Sequence, residues 1–160
     1  MSNTDPFIEA ADEILTAVLG DVRAAISGLS EEALNWRPAG EETNSIAVLT
    51  THAMHSTRSW VAIAVGAQLP DRDRPSEFLA RADAAALLAL VDSFGSECQS
   101  LLGEARDVDW SAPRKTHPRM RTGAPEEQTS AWAIMHALEH LREHSGQMSL
   151  TRQLWEARRL

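Results

Sequence analysis

The stretch SAWAIMHALEHLREHSGQMSLTRQLW, from Ser130 to Trp155, decides the fold prediction for this chain. It contains no proline, and its small and apolar residues recur at steps of three and four, which is typical of an amphipathic helix. On a helical projection centred on His140, the nearest small and apolar neighbours are Ala133, Ala137, Leu141, Met148 and Thr151. The stretch therefore predicts a long helix that begins near Thr129 or Ser130, ends near Trp155 and points its histidines inward.

Three more segments show the same period. The first runs from about Asp5 to Ser27, the second from Asn44 or Ser45 to about Gly66, and the third from about Asp83 to Glu104. Asp5 before a proline is typical of a helix N-cap. A proline- and aspartate-rich loop, Leu69 to Pro75, separates the second segment from the third.

Residues 105–128 contain three prolines and a glycine and have no helical period. No segment alternates as a strand would, so this part is predicted to be a long loop, and loops of that length are often functional. Four amphipathic helices and one long connection predict an all-α four-helix bundle, with the loop between the third and fourth long helices. We expect one domain over residues 1–160.

Composition narrows the functional classes. The formal net charge of -8 disfavours nucleic-acid binding, which needs clustered basic residues. The single cysteine, Cys98, excludes an intrachain disulfide, and its position on an apolar stripe predicts a core residue. No secretory signal or apolar run of about 18 residues is visible. We therefore expect a cytoplasmic protein without membrane contact.

Histidines are concentrated in two of the predicted helices. His136, His140 and His144 follow one another at four-residue steps, so neighbouring pairs share a helix face and can converge on one ion. Spacing does not separate the pair His136–His140 from the pair His140–His144. On the second long helix, His52 faces inward with Leu49, and His55 is expected to be exposed. Two histidines from one helix and one from the other predict three metal ligands and an open fourth position, as in catalytic metal sites.

The sequence also contains the H-x-x-E-H pattern of inverted zinc peptidases twice, at residues 136–140 and 140–144. In those enzymes the glutamate acts as general base beside the metal. They are much larger proteins, and the pattern arises easily where histidines repeat on a glutamate-rich helix. Peptidase activity is therefore disfavoured.

Three motifs, in this order and spacing, resemble the DinB/YfiT-like metal-binding four-helix bundles. They are Asn35-Trp36-Arg37-Pro38 followed by Asn44-Ser45-Ile46-Ala47, then His52 with Trp60 eight residues later, and finally His140-Leu-Arg-Glu-His144-Ser-Gly146-Gln147. The resemblance covers nearly the whole chain in helix order and length. The family often has arginine where this chain has Ser145, which puts any role of that arginine in doubt.

The resemblance implies a metal triad of His52, His140 and His144. His136 then lies one turn away as a pocket or supporting residue, and Gln147 of the last motif is placed there as well. Three imidazoles suit several divalent ions, and zinc and nickel are the expected cofactors.

Characterised relatives include transferases and isomerases that use low-molecular-weight thiols such as mycothiol or bacillithiol. The resemblance therefore implies a metal-dependent thiol S-transferase, or a related thiol-dependent enzyme, acting on a small electrophile. Arg119 and Arg121 in the long loop are candidate contacts for the carboxylate of the thiol cosubstrate.

Two alternatives remain open at this point. The bound ion could activate water for hydrolysis, with Glu143 as catalytic base. Otherwise the chain is a non-enzymatic metal-binding bundle. A homodimer that takes a small-molecule substrate is expected in the enzyme interpretation.

Overall fold

The computed structural model describes residues 5–116 and 126–158. Within these ranges the chain forms six α-helices, one 3₁₀ turn and two short strands. In chain order they are α1 (Pro6–Ile26), α2 (Glu31–Leu34), the 3₁₀ turn (Gly40–Glu42), α3 (Ile46–Val65), α4 (Arg74–Glu77), α5 (Ala84–Glu104), β1 (Pro113–Lys115), β2 (Glu127–Thr129) and α6 (Ser130–Ala157). The four long helices α1, α3, α5 and α6 confirm the predicted all-α bundle.

Polar side chains mark where each long helix begins. Asp5, Ser45, Asp83 and Thr129 each accept a hydrogen bond from a backbone N–H in the first turn of the helix that follows. These bonds satisfy N–H groups that have no partner inside the helix. The predicted starts of the four long helices agree with these caps. Helix α3 ends at Gly66, whose φ of 74° lies in the left-handed region that favours glycine.

The long helices form a closed ring in which each contacts two neighbours. Helix α3 packs against α6 and α5, and α1 packs against the same two helices from the opposite side. Apolar faces meet in a single cluster inside the ring. The apolar face of α1 is buried along its whole length: Ile8, Ala11, Leu15, Val18, Leu19, Val22 and Ile26. This arrangement places α3 and α6, the two helices that carry the histidines, side by side.

The connection between α5 and α6 differs from the prediction in one respect. Strands β1 and β2 pair antiparallel, with Pro113 opposite Thr129 and Lys115 opposite Glu127. Three residues are too few for an alternating pattern to be recognised, so the expectation of no strand is wrong here. The pairing holds the start of the connection against the first turn of α6, where the backbone N–H of Ala131 donates to the carbonyl of Trp110 at 2.9 Å.

Cys98 is buried in the core, as predicted. Burial, together with the nearby Glu97 carboxylate, raises the pKa of the Cys98 thiol to about 12. The thiol therefore stays protonated, and Cys98 is a packing residue and not a nucleophile. None of the helices in the described ranges is long and apolar enough to cross a membrane.

Candidate metal centre

The bundle brings one histidine of α3 and two histidines of α6 to a single point. His52 is 7% exposed and faces α6 across the interior, while His140 and His144 are partly buried on the facing side of α6. One ring nitrogen from each lies within 4.8 Å of the other two. The ring centroids of His52 lie 5.1 Å from His140 and 5.2 Å from His144. The three histidines implied by the resemblance are therefore the three that the structure brings together.

The Nε2 atoms of His140 and His144 have the separation of two ligands on one metal ion. Nε2 of His140 lies 3.2 Å from Nε2 of His144. Two nitrogens on a tetrahedral zinc ion are about 3.3 Å apart, given Zn–N bonds of ~2.0–2.1 Å. The two side chains thus present their Nε2 atoms at a spacing close to that of two ligands on one ion.

The rings of His140 and His144 are neutral near pH 7. Burial lowers the pKa of His140 to about 3, and the neighbouring imidazoles of His144 and His52 act in the same direction. Burial also lowers the pKa of His144, although its hydrogen bond to Gln147 acts in the opposite direction. A neutral imidazole keeps the lone pair that a metal ligand needs. The donor set therefore fits a divalent ion.

The three histidines differ in the hydrogen-bond partner of their Nδ1 atom. Nδ1 of His144 donates to the Gln147 side-chain oxygen at 2.8 Å, and Nδ1 of His52 lies 2.8 Å from a carboxylate oxygen of Glu77. Nδ1 of His140 is buried and has no hydrogen-bond partner among the described residues. Gln147 thus contacts His144 directly, and its supporting role stays a prediction.

Sequence reasoning missed Glu77 and Arg72. Glu77 is 2% exposed and ends α4, just beyond the loop predicted for Leu69 to Pro75, in a stretch for which no element was predicted. Burial opposes ionisation of Glu77, but hydrogen bonds from Arg72 and His52 outweigh it and lower the pKa of the Glu77 carboxyl. A four-residue helix has no period to read, and neither residue belongs to a recognisable ligand spacing. Only the folded chain reveals the contact.

His136 lies outside the triad in an aromatic cluster. Its ring stacks on Trp132 at a centroid distance of 4.7 Å and meets the edge of Trp60 at 4.9 Å. The His136 ring is 5.5 Å from that of His140, so the cluster adjoins the triad. Trp132 is 42% exposed, and the cluster therefore continues from the histidines to the protein surface. His136 thus lies beside the triad, and its expected role as a pocket residue stays a prediction.

The other candidate residues are placed as follows. Glu143 is exposed and accepts a hydrogen bond from Gln147 at 3.2 Å, so it is connected to His144 through that side chain. His55 is half-buried against the ring of Phe94, 4.9 Å away, and not exposed as expected. The phenyl ring of α5 covers it, which a pattern within α3 could not reveal. Arg119 and Arg121 lie outside the described residues.

Comparison with solved structures gives a close match in architecture. A conserved protein from Enterococcus faecalis is similar with a TM-score of 0.70 and 16% identity, over 93% of this chain and 96% of that one. At that identity the likeness shows the fold alone. A comparison with curated proteins gives no match.

The family comparison is more specific. The model of the DinB superfamily matches residues 14–148, which include all three histidines of the candidate centre. That match covers most of the chain and agrees with the bundle architecture and with the order of the motifs along it. The chain belongs to the DinB superfamily.

Proposed function

We propose that the chain holds one divalent metal ion with His52, His140 and His144 and uses it to transfer a low-molecular-weight thiol to a small electrophile. The convergence of three imidazoles from two neighbouring helices carries this proposal. DinB-like proteins often bind divalent metals. Three protein ligands leave a coordination position for a substrate, which a closed structural site does not.

The chemistry follows from the charge of the ligands. Neutral imidazoles do not cancel the charge of a divalent ion, which when bound lowers the pKa of a thiol or of water. The low pKa of His140 keeps its ring neutral in the physiological pH range, so that proton competition for this ligand is weak. Zinc and nickel are the ions that we expect to find.

In the proposed transfer, the thiol sulfur forms a bond to an electrophilic carbon of the substrate. The bond between that carbon and its leaving group breaks, and the leaving group departs with the electron pair. The thiol proton passes to solvent. Trp132 and His136, which pack on the buried Trp60, offer an aromatic surface beside the triad for the substrate.

A hydrolase would need a carboxylate that can take a proton from water near the metal. Glu77 is unsuitable as a base, because Arg72 and His52 already occupy both of its oxygens. Glu143 is exposed and linked to His144 only through Gln147. Thiol transfer needs no base at this position, which favours it over hydrolysis.

The metal content of purified protein tests the site. We expect about one zinc or nickel ion per chain in the wild type, as for a three-histidine centre. His144→Ala should lose most of that metal. His55→Ala is the control, because it also removes one partly buried histidine ring but lies outside the triad. Wild-type protein that stays free of metal after reconstitution would contradict the proposal.

The reaction is tested separately on the reconstituted protein. With N-acetylcysteine and 1-chloro-2,4-dinitrobenzene, we expect conjugate formation that depends on both the metal and His144. Hydrolysis of a p-nitrophenyl ester without any thiol conjugate, lost in Glu143→Gln, would favour the hydrolase. A metal-loaded protein inactive in both assays over a broad thiol panel would favour a metal-binding bundle without enzymatic activity.

A further inference from the structure

Glu77 and Arg72 form a buried ion pair at the edge of the candidate metal centre. Nε of Arg72 donates to one carboxylate oxygen of Glu77 at 2.6 Å, and Nη2 donates to the other at 2.9 Å. The two side chains are only 3% and 2% exposed. This two-point contact fixes the orientation of the carboxylate and supplies the countercharge that a buried anion needs.

The same carboxylate reaches a ligand of the proposed ion. Oε2 of Glu77 lies 2.8 Å from Nδ1 of His52. A carboxylate paired with arginine only accepts hydrogen bonds, so Nδ1 of His52 must carry the proton. In a neutral ring Nε2 then has the free lone pair, and because Nδ1 is engaged with Glu77, Nε2 is the atom left to bind an ion. The contact therefore selects the tautomer suited to metal binding.

The segment that carries Glu77 is itself held at two points, both of which follow Glu77 in the chain. The side-chain amide of Asn35 bonds to both backbone groups of Ala82, at 2.9 and 3.2 Å, and Arg37 donates to the carbonyl of Phe78 at 3.1 Å. The ring of Phe78 lies 4.7 Å from that of His52. Asn35 and Arg37 thus anchor residues 72–82 against the histidine.

We propose that Glu77 is the positioning residue of the metal centre, which, held by Arg72, keeps His52 in the ring orientation and tautomer that present Nε2 to the ion. This inference rests on the proposed metal site. Residues that fix the second nitrogen of a ligating histidine typically raise metal affinity by about 10–100-fold. The orientation of the His52 ring matters to the site because His52 is the one ligand that α3 supplies.

Removing Glu77 alone would leave the buried Arg72 without a counter-ion, so the test uses paired substitutions. The first double variant, Arg72→Met with Glu77→Gln, removes both charges but keeps an oxygen that can accept from Nδ1 of His52. The second, Arg72→Met with Glu77→Met, removes the charges and that acceptor. Because the two double variants differ only at position 77, a difference in zinc affinity measures the hydrogen bond to His52.

The readout is the zinc dissociation constant, measured by competition with a chromophoric chelator well below the melting temperature. Circular dichroism of both metal-free double variants checks that each is folded. We expect the double variant with Glu77→Met to bind zinc about 10–100-fold more weakly than wild type, and the one with Glu77→Gln to retain most of the affinity. Glu97→Gln, which breaks the surface pair between Glu97 and Arg58 of α3, should leave the affinity unchanged.

The outcomes separate this inference from the proposed function. Equal zinc affinity in the two double variants would overturn the positioning role, whether that affinity is normal or reduced. If wild type binds zinc and His144→Ala does not, the metal site stands even when Glu77 proves irrelevant. Wild-type protein that binds no zinc would overturn both proposals.

Discussion

The ring nitrogen that carries the proton determines which atom of each histidine is free to bind an ion. His52 and His144 both use Nδ1 in a hydrogen bond, to Glu77 and to Gln147. Their Nε2 atoms are then unprotonated, and the 3.2 Å contact with Nε2 of His140 requires that His140 supply the proton when no ion is present. If Nε2 of His140 binds the proposed ion, its proton must move to Nδ1, which has no hydrogen-bond partner among the described residues.

A second residue-scale feature is the cap at the start of α1. Asp5 accepts from the indole Nε1 of Trp110 at 2.7 Å and from the backbone N–H of Phe7 at 2.8 Å. These bonds lower the pKa of the Asp5 carboxyl below its ordinary value, and the bond from Trp110 has the largest effect. The bond to Trp110 ties the start of α1 to the connection that follows α5.

Asp5→Ala is expected to lower the melting temperature at pH 7. A carboxyl group with a lowered pKa contributes stability above its unfolded-state pKa and loses it as the pH falls through the folded-state value. The difference between variant and wild type should therefore shrink as the pH falls below the ordinary aspartate pKa of about 3.9. Thermal melts across this range test it, with the exposed Glu13→Ala on the same helix as control. A difference that stays constant with pH would contradict the explanation.

At the scale of elements, helix α3 begins after a serine that caps it and ends at a glycine. Ser45 caps its beginning, and Gly66 ends it in the left-handed region with a φ of 74°. A Cβ atom added to Gly66 would lie 2.7 Å from Nη1 of Arg114, whose Nε donates to Ser130 at the start of α6. The end of α3 is therefore also a contact point with the connection that leads into α6.

Gly66→Ala is expected to destabilise the protein by about 1–2 kcal/mol, because non-glycine residues are strained in the left-handed region. Displacement of the Arg114 side chain would add to this cost. Gly20→Ala is the matched control: Gly20 lies inside α1 with no heavy atom within 4 Å of the added Cβ. Alanine there should stabilise by roughly 0.5–1 kcal/mol. Urea unfolding of both variants measures the two effects, and equal effects would contradict the conformational argument.

At the scale of the whole molecule, the proposed ion joins two neighbouring helices of the ring. His52 belongs to α3, and the other two ligands belong to α6. In the unfolded chain these residues are far apart along the sequence, so the site exists only in the folded state. A ligand that binds only the folded state stabilises it.

Zinc should therefore raise the melting temperature. At a free concentration of about 100 times the dissociation constant, the gain is ~2.7 kcal/mol. For a chain of this size that corresponds to roughly 5–10 °C. Differential scanning calorimetry with zinc and with a chelator measures the shift, and His52→Ala should show little of it. An equal rise in that variant would point to zinc bound elsewhere.

Much of the fold was determined by the sequence alone. The period of apolar residues and the caps at Asp5, Ser45 and Asp83 are local features, so the four long helices and their starts followed from them. The four-residue step between His140 and His144 places both rings on one face of α6 by helical geometry. Spacing could not choose between this pair and the pair that includes His136; the resemblance to the DinB family implied the choice.

Other features depend on contacts between distant parts of the chain. Strands β1 and β2 exist because residues 113–115 meet residues 127–129, and the burial of His55 depends on Phe94 of α5. Glu77 reaches His52 because its segment is held in place by Asn35 and Arg37. A local sequence pattern predicts where one helix begins and which of its residues share a face. Only the tertiary structure decided that the carboxylate of Glu77 contacts His52. The two residues belong to different helices, and no local pattern in either helix predicts a contact with the other.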